Sequence, residues 1–250
     1  MKSWAKHNAT ELRRRSLMGN NPIYGRKFFA GIQEGSYRSA IKIIPLLKAL
    51  IQIRSVVDVG CGTGSWLKAF QENGVKDILG IDSNPTDVLE IPAVSFFQTD
   101  LSLPFGLERR FDLVVCLEVA EHLPPNRADS LVENLTSLSP VILFSAAVPG
   151  QGGTHHVNEQ WPEYWSEKFK LKGYLTLDCL RMKIWTDPEV VWWYSQNMLL
   201  YVREDVVKKN VKLSKLPVAD PPPRLIHPEG LTIIAQLRRI RMRLWQKMGF

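Results

Sequence analysis

Short apolar runs rich in β-branched residues alternate with amphipathic stretches through the middle of this chain. The runs are SVVDVG (55–60), DILGID (77–82), AVSFFQTD (93–100), FDLVVCL (111–117) and PVILFSA (140–146). The first four show no clean polar–apolar alternation, which marks strands buried on both faces of a parallel sheet. Helical material separates them: GSWLKAFQENG (64–74), where Gly74 is a good stop, and NRADSLVENLTSL (126–138), which Pro124 and Pro125 introduce. Ahead of the first strand, GSYRSAIKIIPLLKALIQI (35–53) sets Ile41, Ile44, Leu47 and Leu50 on one stripe, and the spacing predicts a helix. Two later runs, GYLTLDCLRMKIW (173–185) and NMLLYV (197–202), are expected to complete the sheet as an antiparallel edge pair. Together they predict an α/β fold, a doubly wound and mostly parallel sheet of seven strands with helices on both faces.

Past residue 212 the pattern breaks. SKLPVADPPPRLIHPEG contains five prolines, so 213–230 reads as an extended linker. It leads into LTIIAQLRRIRMRLWQKMGF (231–250), in which Ile233, Leu237, Ile240, Leu244 and Met248 share a helical face and Arg238, Arg239, Arg243 and Lys247 lie on the others. A basic amphipathic helix of this kind lies on an anionic membrane surface, docks on a protein partner, or packs back on its own domain. The formal net charge of +7 sits at the ends: residues 203–250 hold 11 Lys/Arg against 4 Asp/Glu, while residues 28–202 hold 14 against 20. A nucleic-acid enzyme ordinarily carries its positive footprint around the cleft, so the acidic centre argues against nucleic acid as a partner. No apolar run of eighteen residues occurs, and the N-terminal stretch lacks an apolar core, so neither a membrane span nor a secretory leader is expected. Cys61, Cys116 and Cys179 fit no zinc or disulfide spacing, and a reducing cytoplasm is the expected compartment.

The strongest motif is VVDVGCGTGSW (56–66), a strand carrying Asp58 and then Gly60, Gly62 and Gly64 alternating into a helix. Glycines there let the backbone turn sharply and let a ligand sit against it. The nicotinamide fingerprint is GxGxxG with a helix N-terminus aimed at a pyrophosphate. Here the spacing is GxGxG, and Asp58 stands two positions before the first glycine. A carboxylate there repels a pyrophosphate and suits a cationic ligand. With these residues the chain resembles the class I S-adenosylmethionine-dependent methyltransferases, over about residues 36–202. The resemblance implies a Rossmann-like fold and S-adenosylmethionine as cofactor, its methionine part held by Asp58, Gly60, Cys61, Gly62 and Gly64. It also implies that Asp82, with Ser83 beside it, grips the ribose hydroxyls, and that Asp100 receives the adenine amino group with a backbone contact from Leu101. Leu117 and Glu118, at the end of the fourth predicted strand, close the cofactor set.

Glu118, Glu121 and His122 fall in CLEVAEHLPP (116–125), at the strand edge where open α/β sheets hold their ligands. Three readings stand side by side. In one, Glu121 and His122 cap the following helix, where an acid is favoured. In another, His122 or a later histidine is a general base, needed only by an acceptor that starts protonated, such as a hydroxyl. In the third, Glu118, Glu121 and His122, at spacings of three and four, converge on a divalent cation: Mg²⁺, Mn²⁺ or Zn²⁺. The fifth strand leads into SAAVPGQGGTHHVNEQWPEYWSEKF (145–169), in which one of His155 and His156 is expected to face the site and a helix to begin near Asn158. The catalytic candidates are therefore His122, His155, His156 and Glu121, and the metal candidates Glu118, Glu121, His122 and His155. The E-x-x-E-H run resembles that of ubiquinone-pathway O-methyltransferases and of small-RNA 3′-terminal 2′-O-methyltransferases, in which it supplies metal ligands. The H-x-x-H loop of the RNA group is absent, because His155 and His156 are adjacent.

The resemblance also implies additions around the sheet that select a substrate. Residues 1–35, with Tyr24, Phe28 and Phe29, are expected to form a lid ahead of a cofactor-binding domain at 36–212. Trp161, Tyr164, Trp165, Trp192, Trp193 and Tyr194 offer aromatic walls that suit a flat or apolar molecule and suit a core equally well. The expected activity is methyl transfer by in-line displacement to an oxygen, hydroxyl or carboxylate, of a small-molecule acceptor. N-methylation and methylation of an RNA end stand as alternatives, as does an inactive cofactor-binding module recruited by its basic tail.

Overall fold

The computed structural model describes residues 26–83 and 89–231, with side chains from residue 33 onward except Val94. Most of the expected lid and almost all of the amphipathic C-terminal helix lie outside the described residues. The chain divides into two units, Met1–Glu34 and Gly35–Phe250. In chain order the elements are α1 (Arg26–Leu50), β1 (Ser55–Val59), α2 (Ser65–Glu72), β2 (Asp77–Asp82), β3 (Phe96–Gln98), β4 (Leu113–Leu117), α3 (Ala128–Leu138) and β5 (Val141–Ser145). They continue with α4 (Pro162–Leu171), β6 (Tyr174–Leu177), α5 (Arg181–Ile184), α6 (Trp192–Asn197), β7 (Leu199–Arg203) and α7 (Glu204–Lys209).

The strands form one seven-stranded sheet in the order β3-β2-β1-β4-β5-β7-β6. The first five are parallel to their neighbours, and β7 runs antiparallel between β5 and β6. The chain leaves β1 toward β3 and then returns to β4 on the other side of β1, so the order reverses between β1 and β4. A crevice for ligands opens at such a reversal, beyond the carboxyl ends of the strands.

Burial on both faces explains the unbroken apolar runs. All residues of β4 and β5 are buried. Val56 and Leu113 face one core, with Ile43, Ile44 and Leu47 of α1 and Leu67 and Phe70 of α2. Val57 and Val114 face the other, with Leu131 and Leu135 of α3 and Trp165 and Phe169 of α4. Ile44 and Leu47 are central, as their spacing predicts, whereas Ile41 and Leu50 are only partly buried.

Four elements differ from their sequence expectations. Helix α1 begins at Arg26, well ahead of residue 35. Within 93–100 only Phe96–Gln98 is strand, preceded by a 3₁₀ turn at Ala93–Ser95, because β3 is an edge strand with a single partner. The run 173–185 splits into β6 and α5, because Arg181 turns inward, 1% exposed, to pair with Asp178. The helix expected near Asn158 starts at Pro162, since the amides of Val157 and Asn158 instead donate to the Glu121 carbonyl (2.8 and 3.0 Å).

The proline-rich segment is also not an extended linker. Val218 bridges Leu177 of β6, and the Ala219 amide donates to the Thr176 carbonyl at 2.9 Å. Farther along, Arg181 Nη2 donates to the Pro223 carbonyl at 3.0 Å, and the amide of buried His227 donates to Gln196 Oε1 at 2.8 Å. The segment straps the exposed edge of β6, where residues lacking an N–H are tolerated and an uncovered edge is a liability. Among the described residues no helix is long and apolar enough to cross a membrane.

Candidate active site

Strand β1 carries Asp58 into the crevice almost fully buried, and burial first, then the nearby Asp82 charge, pushes its carboxyl up to about 8. The turn that follows is clamped to β2, with the amides of Gly60 and Cys61 both donating to the Ile81 carbonyl at 2.7 and 3.2 Å. Two of its glycines do different jobs. At Gly60 φ is +84°, and a Cβ would lie 2.3 Å from Val119 Cγ2, so the turn closes against the β4 loop only without a side chain. At Gly62 φ is +54° but a Cβ would meet nothing within 4 Å, so its outer face is open. The Gly62 amide donates to Asp82 Oδ2 at 2.9 Å, which ties the open face to the acid at the end of β2.

The remaining cofactor candidates take more local roles. Cys61 is buried with its sulfur toward Gly80, so only its backbone belongs to the turn. Ser83 is exposed and its carbonyl accepts from Gln98 Nε2 at 3.3 Å. Asp100 Oδ1 accepts the Ser102 amide at 2.9 Å, and the carbonyl of buried Leu101 accepts from Arg127 Nε at 3.0 Å. Leu117 is buried at the end of β4. The sequence reading missed Glu90, whose Oε1 accepts from Thr63 Oγ1 and Ser65 Oγ at 3.0 and 2.6 Å, while Oε2 pairs with Lys68 at 3.2 Å. Burial pushes the Glu90 carboxyl up, but the hydrogen bonds from Ser65, Thr63 and Lys68 outweigh it and hold it below its ordinary value. A lone acid in a loop after β2 offers no pattern by which to find it. The buried acid of Asp58, the open Gly62 cradle and Asp82 fit a cationic ligand that also bears hydroxyls.

At the reacting edge the chain turns abruptly. Glu118 has φ of +55°, the left-handed region that non-glycine residues rarely enter. Its amide donates to the Ser145 carbonyl at 3.0 Å. Its carboxylate accepts from Asn197 Nδ2 at 3.1 Å and Gln151 Nε2 at 3.2 Å. Gln151 Oε1 in turn accepts from Asn197 and Gln196, both at 2.9 Å. Burial pushes the Glu118 carboxyl up, and hydrogen bonds from Ser145, Asn197 and Gln151 draw it back.

Three residues on, Glu121 is fully buried and neither of its carboxylate oxygens has a hydrogen-bond partner. It therefore caps no helix. Burial, then the Glu118 charge, raise its pKa well above the ordinary carboxylate value, and the two carboxyls lie close enough for the side-chain contact with Glu118 to add to the rise. Among the described residues, one ligand atom each from Glu121, His122 and His156 lie within 4.8 Å of one another. The two imidazoles meet edge to face with centroids 4.9 Å apart, and burial followed by the neighbouring His156 lowers the His122 pKa. The direction favours the neutral imidazole, the form that offers a lone pair.

Two of the expected ligands lie outside this cluster. His155 is exposed with φ of +59° and does not join the cluster; His156 does. Glu118 is not among the clustered atoms; its carboxylate accepts from Asn197 and Gln151 and adjoins that of Glu121. The aromatic candidates divide as well. Trp165 and Tyr194 are core, 2% and 5% exposed, with Tyr194 accepting from Trp66 Nε1 at 3.3 Å, whereas Trp161 carries the Arg224 guanidinium over its ring.

A Rossmann-like sheet with acids at three successive strand ends and a glycine turn beside the order reversal defines a domain of the methyltransferase class. Residues 30–175 match the family described as "Methyltransferase domain", and the chain belongs to it, among the class I S-adenosylmethionine-dependent methyltransferases. The fold is similar to that of DesVI from Streptomyces venezuelae, with a TM-score of 0.53 and 15% identity over 70% of this chain and 95% of that one. It is similar too to magnesium protoporphyrin IX methyltransferase from Synechocystis bound to S-adenosylhomocysteine, with a TM-score of 0.50 and 21% identity over 78% of this chain and 94% of that one. In sequence the chain is similar to a tRNA U34 carboxymethyltransferase of Methylococcus capsulatus, 32% identical over 134 residues, or 48% of this chain and 41% of the relative. The corresponding protein of Sulfurimonas denitrificans is 29% identical over 128 residues, covering 47% and 43%. The chain therefore spans less than half the length of these curated relatives.

Proposed function

We propose that this protein transfers a methyl group from S-adenosylmethionine to a hydroxyl oxygen of a small-molecule acceptor, beside a divalent cation held by Glu121, His122 and His156. The observation that carries the reading is Glu121: a fully buried carboxyl that no donor reaches, set beside the Glu118 carboxyl and against two imidazoles. A buried acid without partners is costly, and a cation removes that cost. One oxygen donor and two nitrogen donors suit Mg²⁺, Mn²⁺ or Zn²⁺. S-adenosylmethionine, when bound, supplies a methyl group activated on a cationic sulfur; the cation, when bound, polarises the acceptor oxygen.

The chain's own residues bind and align. Asp58 and the Gly60–Gly64 turn hold the cationic part of the cofactor, Asp82 its ribose hydroxyls and Asp100 its adenine. The Glu118 network ties the loop after β4 to Gln151 and Asn197 and holds it in place, because alignment supplies most of the rate in a displacement of this kind. The acidic balance of residues 28–202, 14 Lys/Arg against 20 Asp/Glu, supports a small acceptor over a polyanion.

The test is calorimetric titration of Mg²⁺, Mn²⁺ and Zn²⁺ into protein saturated with S-adenosylhomocysteine, with His122→Ala alongside. Saturable binding that the variant loses supports the cation site; no binding to the unsubstituted protein removes it. A second reading, an RNA acceptor, draws on the similarity to proteins named for tRNA U34. Transfer to tRNA that collapses as salt rises would favour it.

A further inference from the structure

The cation reading leaves unexplained why His156 takes part and its neighbour does not. The answer lies in Glu159, which belongs to no ligand set. Its Oε1 lies 2.9 Å from His156 Nδ1. The same oxygen accepts the Gly152 amide at 2.9 Å, and Oε2 accepts the Gly150 amide at 2.7 Å. One carboxylate thus closes the glycine turn after β5 and holds the imidazole beneath it. Gly150 and Gly152 both have positive φ, +84° and +73°, so the turn that presents these amides is itself a glycine conformation. The fit between turn and ring is close: a Cβ on Gly153 would lie 2.2 Å from His156 Nε2. Both side chains are largely shielded, at 11% exposure for His156 and 20% for Glu159.

We infer that Glu159 is a positioning residue that orients His156 and fixes its tautomer, with the proton on Nδ1 and the lone pair on Nε2. A neutral imidazole carries one ring proton, and a carboxylate at Nδ1 draws it there. The nitrogen left over is the one able to bind a cation, and a carboxylate behind a histidine ligand raises its basicity. Among the described residues no carboxylate is hydrogen-bonded to the His155 ring, and its left-handed backbone turns it toward solvent. The inference rests on the proposed cation site for its consequence, while the tautomer itself stands apart from any ion.

Two readouts separate these. Imidazole ¹⁵N NMR of metal-free protein is expected to report His156 as the Nδ1–H tautomer, shifting toward the Nε2–H form in Glu159→Ala and staying in place in Glu159→Gln, whose amide oxygen still accepts. In the Mn²⁺ titration of protein saturated with S-adenosylhomocysteine, Glu159→Ala is expected to bind about 10–100-fold more weakly, and Glu159→Gln to recover most of that loss. Unchanged S-adenosylhomocysteine affinity in both variants shows that the domain is intact. An unchanged tautomer, or unchanged Mn²⁺ affinity in Glu159→Ala, overturns the inference. If the unsubstituted protein binds no cation, the cation reading falls, and the tautomer measurement alone decides the role of Glu159. Gly153→Ala adds a check that leaves the carboxylate in place, since the methyl group must displace the ring and weaken the cation.

Discussion

Burial and then the Asp82 charge push the Asp58 carboxyl up to about 8. Its folded value exceeds the unfolded one, so between about pH 4 and about pH 8 the folded state binds more protons than the unfolded state. The contribution of this group to stability is present at low pH and is lost as the pH rises through that window. Melting of the cofactor-free protein is expected to shift down from pH 5 to pH 8, with part of the decline absent in Asp58→Asn. Affinity for S-adenosylhomocysteine should rise over the same range, because a cationic ligand favours the ionised acid. The glycines make a second contrast at this scale. Gly60→Ala meets both a strained φ and the Val119 side chain, so a loss of about 1–3 kcal/mol is expected in denaturant unfolding. Gly62→Ala has open space around its methyl, so it should cost less stability and more S-adenosylhomocysteine affinity. Equal effects from the two would contradict these separate roles.

Elements meet at two tie points that no local pattern announces. Glu90 gathers Thr63, Ser65 and Lys68 at the start of α2 and so sets how the glycine turn enters that helix. Glu90→Ala leaves the two hydroxyls without their acceptor and is expected to cost about 1–3 kcal/mol, read as a lower denaturation midpoint together with weaker cofactor binding. At the other end, Arg181 pairs with Asp178 and donates to the carbonyls of Gln196 and Pro223, so one guanidinium joins β6, α6 and the strap. Arg181→Met removes all of these and strands Asp178, so a loss of about 3 kcal/mol is expected. Limited proteolysis is expected to cut first near residues 215–225. A variant as resistant as the unsubstituted protein would show that the strap is held by other means.

Over the whole molecule, charge decides what can approach. Residues 28–202 are acidic in balance and the basic excess lies toward the ends of the sequence, which is the charge pattern expected of a domain that does not grip a polyanion. Turnover of a small acceptor is expected to be nearly indifferent between ~50 and ~200 mM salt, where a protein gripping several phosphates loses about 10³–10⁵ in affinity. A fall of that size with a nucleic-acid acceptor would move the assignment to RNA.

The parallel sheet with its antiparallel edge, the glycine turn and the three acids at strand ends were legible from the chain alone. They depend on short-range properties: β-branched runs buried on both faces, glycine at positive φ, and crossover connections that place successive strand ends along one edge. The loop after β4 was legible as lying at the carboxyl edge of the sheet, but its contacts were not. His155 and His156 have the same chemistry and adjacent positions, so only the loop backbone and Glu159 separate the imidazole that meets His122 from a solvent-facing neighbour. Glu118 looks like a third ligand in E-x-x-E-H until Gln151, 33 residues away, and Asn197, 79 residues away, take up its carboxylate. The proline-rich strap looked like a linker because its composition records how it bends and not the β6 edge it covers. Spacing along a chain reports periodicity, whereas hydrogen-bond partners distant in sequence meet only when the sheet brings its loops together.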